Sequence, residues 1–92
     1  MSERVQIVPK PECSWNEIEG RLNPGDLVES PHPNPAMKDC WLYCCPKCNK
    51  VWTMRVPGVH QIVQREPLTV SPSWLCPSGC HYWIRNGEIV GA

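Results

Sequence analysis

The sequence predicts a small, mostly-β fold of short hairpins, and three observations predict it. Two close cysteine pairs, Cys45-Pro46-Lys47-Cys48 and Cys76-Pro77-Ser78-Gly79-Cys80, each lead into a run of strand formers. An Asn86-Gly87 dipeptide lies between the apolar stretches Tyr82–Arg85 and Glu88–Val90. Eleven prolines and six glycines in 92 residues leave room for short strands and turns but little for long helices.

The elements follow in chain order. Val5-Gln6-Ile7-Val8 is a short apolar run ended by Pro9, which suits an edge strand. Ser14 followed by Glu17 has capping-box spacing and predicts a short helix from Trp15 to Glu19, docked through Trp15 and Ile18 and stopped at Gly20. Asn23-Pro24-Gly25-Asp26 is a turn, and Leu27-Val28 a brief strand. Three alternating prolines in Ser30–Pro35 hold an extended backbone. They are read as a linker between an N-terminal segment, 1–35, and a second unit, 36–92.

Cys40–Cys44 reads as a strand. In Lys50–Val56, Val51, Thr53 and Arg55 face one way, and Trp52, Met54 and Val56 the other, the period of a half-buried strand. Pro57-Gly58 turns the chain, Val59–Arg65 is a weaker strand, and Glu66-Pro67 breaks it. Leu68–Val70 is extended, with a turn expected at Ser71-Pro72-Ser73. Asn-Gly supplies both positive-φ residues of a type I′ turn, so Tyr82–Val90 is a hairpin.

Seven cysteines cannot pair completely within one chain. The N-terminus lacks an apolar core of signal-peptide length, and no run reaches the roughly 18 to 20 apolar residues of a membrane span. A reducing cytoplasm is therefore expected, where close cysteine pairs act as metal ligands more often than as disulfides. Zinc takes four tetrahedral ligands and suits thiolates, so Cys45, Cys48, Cys76 and Cys80 are the candidate ligands of one structural zinc ion. In both turns a proline follows the first cysteine. Asn49 and Gly79 stand where a left-handed residue is needed. Two such turns, each feeding a strand, make a zinc ribbon. The 27 residues between the pairs, Asn49–Leu75, exceed the usual spacing and need a hairpin of their own.

Two ligand positions have competitors. Cys44 stands beside Cys45, and Cys44-x-x-x-Cys48 would copy the spacing of the second pair. His81 stands beside Cys80. Cys13 and Cys40 read as buried free thiols. His32 reads as solvated, and His60 as a surface strand residue. A redox role for Cys45 and Cys48 lacks the helix that would lower a thiol pKa, because Val51–Met54 is a strand.

The chain also resembles a bacterial family of small zinc-ribbon-like proteins. The matching residues are Pro24-Gly25-Asp26-Leu27, Cys45-Pro46-Lys47-Cys48, Leu68–Ser73 with Trp74, and above all Cys80-His81-Tyr82-Trp83-Ile84-Arg85-Asn86-Gly87-Glu88-Ile89-Val90. Residues 1–20 fall outside the resemblance. It implies an accessory protein, encoded near ubiquitin-activating-like and ubiquitin-conjugating-like proteins on mobile or defence-associated elements. Some members carry a cysteine where this chain has Ser78, which implies a ligand role for His81.

Nine basic and nine acidic residues give zero formal charge, so nothing global attracts a nucleic-acid backbone or an anionic membrane. There is no carboxylate pair, no Ser-His-Asp set and no glycine-rich phosphate loop. The expected function is a non-catalytic zinc module that binds another protein. The alternatives are a nucleic-acid-binding ribbon, or a zinc enzyme with His81 or His60 in an open site.

Overall fold

Residues 4–10, 15–30 and 32–91 are described by the computed structural model. Among them, eight strands form two four-stranded sheets. The first sheet runs β1 (Gln6–Val8), β2 (Asp26–Val28), β3 (Cys40–Cys44), β4 (Val51–Arg55). The second runs β5 (Gln61–Gln64), β6 (Thr69–Leu75), β7 (His81–Arg85), β8 (Glu88–Gly91). Neighbours are antiparallel except β1 and β2, which pair in parallel. Strands before and after residue 35 share the first sheet, because β2 pairs with β3.

Side chains alternate across a strand, and this sets the core. Trp41, Tyr43, Met54 and Val56 from the first sheet meet Val70, Trp74, Tyr82 and Ile84 from the second. Val5, Leu27, Leu68, Cys45 and Cys76 complete this buried cluster. The sheets therefore share one core, with the cysteine turns at its edge. Leu42, Cys44, Val28 and Ile18 are also buried but outside that cluster, so the first sheet is covered on its other face too. That explains why β3 reads as an unbroken apolar run.

The N-terminal strand is fixed by polar contacts as well. Gln6 Nε2 donates to Asp26 Oδ1 at 2.6 Å, and the Asn23 N–H donates to Asp26 Oδ2 at 2.9 Å. The buried carboxylate is thus bonded on both oxygens, as burial of a charge demands. At Gly25 φ is +91°, and a Cβ there would stand 2.0 Å from the Arg4 carbonyl oxygen. Only glycine fits that approach.

Three expectations are corrected. The helix, α1 (Trp15–Ile18), runs on as a 3-10 turn over Glu19–Arg21, so the chain passes through Gly20 and turns extended at Leu22 instead. Ser71-Pro72-Ser73 is not a turn but the middle of β6. Val70 faces Ile84 and Trp74 faces Tyr82, so four steps along β6 oppose two along β7. This bulge takes Pro72, which has no N–H to donate, out of the ladder. His60 is buried, not a surface residue: its Nε2 lies 3.1 Å from the Ser73 carbonyl, and its ring centroid 5.3 Å from that of Trp74. The capping residue Ser14, the thiol of Cys13 and the side chain of Trp15 lie outside the described residues.

The Asn-Gly hairpin forms as read: φ is 53° at Asn86 and 76° at Gly87. In the proline-rich segment, Asn34 Oδ1 accepts the Ala36 N–H at 3.0 Å and caps a 3-10 turn, Pro35–Met37. Ser30 Oγ donates to the Met37 carbonyl at 2.6 Å and closes that loop. No helix among the described residues is long and apolar enough to cross a membrane.

Candidate metal centre

The first cysteine turn joins β3 to β4, and the second joins β6 to β7. Each is thus the hairpin connection of a different sheet. In the first, the Asn49 N–H donates to the Cys45 carbonyl at 2.8 Å and the Cys45 N–H to the Lys50 carbonyl at 3.0 Å. Asn49 takes φ of 58°, the left-handed conformation its position required. In the second, the Gly79 N–H donates to the Cys76 carbonyl and the Cys76 N–H to the Cys80 carbonyl, both at 2.8 Å. Gly79 has φ of +97° with open space around it, so conformation and not crowding selects glycine there.

These turns bring together the sulfurs of Cys45, Cys48, Cys76 and Cys80, all within 4.8 Å of one another. Cys48 Sγ and Cys76 Sγ, from opposite turns, are 4.0 Å apart. A tetrahedral zinc–thiolate site with bonds of about 2.3 Å has sulfur–sulfur edges of about 3.8 Å. Disulfide sulfurs would be bonded at about 2.0 Å, and all six described cysteines are free thiols. The donor set and its spacing fit one metal ion. Cys45 and Cys76 are buried, whereas Cys48 and Cys80 are half-buried.

The competing ligands lie elsewhere. Cys44 is buried but alternates to the opposite face of its strand from the cluster. Burial, then Asp26 and the neighbouring cysteines, push its thiol up and favour the protonated form. His81 is exposed, with its Nε2 2.9 Å from Ser73 Oγ, and Cys80 stands in the cluster instead. Cys40 is half-buried and outside the cluster. His32 is half-buried, and its Nδ1 accepts the Asn34 N–H at 3.1 Å.

Two of the four thiols are shifted in opposite directions. The Cys80 thiol is pushed up to about 12 by its hydrogen bond with Cys76, by burial and by Cys45. Burial opposes ionisation of Cys48, but the Trp52 indole, the Lys50 backbone, Cys45 and Ser78 together outweigh it and bring Cys48 down to about 6. The Trp52 indole nitrogen is buried and meets no partner in good hydrogen-bond geometry.

A metal must displace these protons, and this sets the sign of the pH dependence. The Cys80 proton competes at every working pH, whereas the Cys48 proton competes only below about pH 6. Zinc affinity is therefore expected to fall on acidification, with one further tenfold loss per pH unit below about pH 6. Competition titrations with a zinc chelator across pH 5 to 8 check this, and a flat profile contradicts it.

Two residues that the cysteine pattern did not single out adjoin the cluster. Tyr82 Oη is 3.1 Å from Cys45 Sγ, and Tyr43 Oη is 2.6 Å from Tyr82 Oη. Burial raises both phenols far above their ordinary range, so both keep their protons. The signal was present: Tyr43 is two residues before Cys45 and Tyr82 two after Cys80, which is one face of a strand.

No protein-family model matches the chain, and no curated protein or solved structure matches it significantly.

Proposed function

We propose that this chain is a non-catalytic structural-zinc module, built like a zinc ribbon, that binds another protein. The observation that carries it is the convergence of four cysteine sulfurs from the turns of two different sheets. Four protein ligands saturate tetrahedral zinc and leave no position for water or substrate, which is the mark of a structural site. The metal then serves the fold, and the function falls to the surface that the fold presents. Zero formal charge favours a protein partner over a nucleic-acid backbone. The family resemblance points to a bacterial defence or mobile-element setting, beside ubiquitin-like conjugation proteins.

X-ray absorption at the zinc edge tests the closed site. Four sulfur scatterers at about 2.3 Å are expected; three sulfurs with one light scatterer at about 2.0–2.2 Å that persists in His81→Ala would mean a bound water and an open position, and would sink the non-catalytic reading. A binding titration with single-stranded nucleic acid at two salt concentrations tests the partner class. Tight binding that weakens steeply with salt would favour the nucleic-acid ribbon instead.

A further inference from the structure

We propose that Tyr43 and Tyr82 form a hydrogen-bond relay that donates into the Cys45 sulfur and strengthens the metal centre from outside its ligand set. This rests on the reading of the four sulfurs as a metal site.

The geometry is a chain of three atoms. Tyr43 Oη and Tyr82 Oη are 2.6 Å apart, and Tyr82 Oη is 3.1 Å from Cys45 Sγ. Both tyrosines and Cys45 are 0% exposed, so water does not compete for these groups. Tyr43 lies on β3 and Tyr82 on β7, so the relay crosses from one sheet to the other. The Tyr43 ring is held edge-on to Trp74, with centroids 5.3 Å apart and planes at 83°.

Each hydroxyl has one proton, and distance alone does not say which atom donates. Coordination decides it. A metal-bound thiolate carries no proton and can only accept, so Tyr82 must donate to Cys45. Its proton committed, Tyr82 Oη accepts from Tyr43. One event at the sulfur therefore orients both hydroxyls. The bond to sulfur is charge-assisted and lies where the local dielectric is low, so it is stronger than a neutral bond in water.

The donation has work to do. Four thiolates around a divalent ion leave a net charge of about −2 in a partly buried site. Each sulfur that accepts a hydrogen bond spreads part of that charge. The Cys80 N–H donates to Cys76 Sγ at 3.3 Å. Cys45, the other buried sulfur, receives a side-chain hydroxyl in the equivalent role. Outer-shell donors of this kind are worth about 10- to 100-fold in metal affinity.

The test uses the full chain loaded with zinc or cobalt(II). For Tyr82→Phe, which keeps the ring and removes the donor, zinc affinity is expected to fall about 10- to 100-fold. The sulfur-to-cobalt charge-transfer band should shift to lower energy, because the sulfur becomes more electron-rich. Tyr43→Phe should move both readouts in the same direction by less, and the double variant should match Tyr82→Phe. Lost packing alone would not shift the band. Wild-type affinity and an unshifted band in folded Tyr82→Phe overturn the relay. Where Tyr82→Phe fails to fold, an unshifted band in Tyr43→Phe overturns it equally. Wild-type protein that takes up no cobalt overturns the metal reading, and the relay with it; wild-type protein that loads normally beside an unchanged Tyr82→Phe overturns the relay alone.

Discussion

Metal removal is expected to unfold this chain. Under reducing conditions, a strong chelator should abolish the near-ultraviolet circular dichroism of the five tryptophans and lower Tm by more than about 20 °C. Structural zinc in small domains contributes on the order of 10 kcal/mol, while whole domains are stable by only about 5–15 kcal/mol. A chain of 92 residues has a small core, so its other interactions do not replace that contribution. The location of the cluster adds to the effect. Its sulfurs come from the β3–β4 and β6–β7 turns, so the site ties together two sheets that otherwise meet, among the described residues, through their shared core and the bridge between Arg4 and Glu88. Without a metal, Cys45 and Cys76 are buried thiols held only by weak sulfur hydrogen bonds. An unchanged Tm after complete chelation would show that the shared core alone suffices.

The second large effect separates adjacent residues of the same type. Cys45→Ser is expected to lose tight zinc binding and to destabilise the chain nearly as much as chelation does. Cys44→Ser is expected to keep its zinc and to lose about 1–3 kcal/mol, the cost of a hydroxyl in an apolar site. Cys44 is as deeply buried as Cys45, so burial does not distinguish them; only the face of the strand does. The second turn gives a parallel contrast. Cys80→Ser should lose zinc, whereas His81→Ala, at an exposed strand position, should change stability by about 0.5 kcal/mol or less. Metal analysis beside urea denaturation checks all four. Zinc retained in Cys45→Ser but lost in Cys44→Ser would reverse the ligand assignment.

What the sequence made legible was local. Cys-Pro-Lys-Cys followed by Asn49, and Cys-Pro-Ser-Gly-Cys, specify tight turns through proline and left-handed residues within a few positions. Asn86 and Gly87 do the same for the last hairpin, and both turn φ values are positive. The alternation in Val51–Val56 correctly assigned Met54 and Val56 to the buried face. What stayed hidden depended on distant partners. Spacing alone left Cys44 and Cys45 open, because the choice is made by where the second sheet lies. Proline at 72 suggested a turn, but β6 accommodates it in a bulge against β7. His60 looked exposed because the Ser73 carbonyl and Trp74 that enclose it are more than ten residues away. The parallel pairing of β1 with β2 spans a helix and a turn, and no nearby residue announces it. The tyrosine relay is likewise a contact between sheets, Tyr43 to Tyr82, separated by 39 positions.

The most direct test of a metal that joins the two sheets is the native mass of protein purified under reducing, chelator-free conditions, recorded with its circular dichroism. One zinc ion per folded chain is the expected result. A chain of metal-free mass with the same folded spectrum would contradict it.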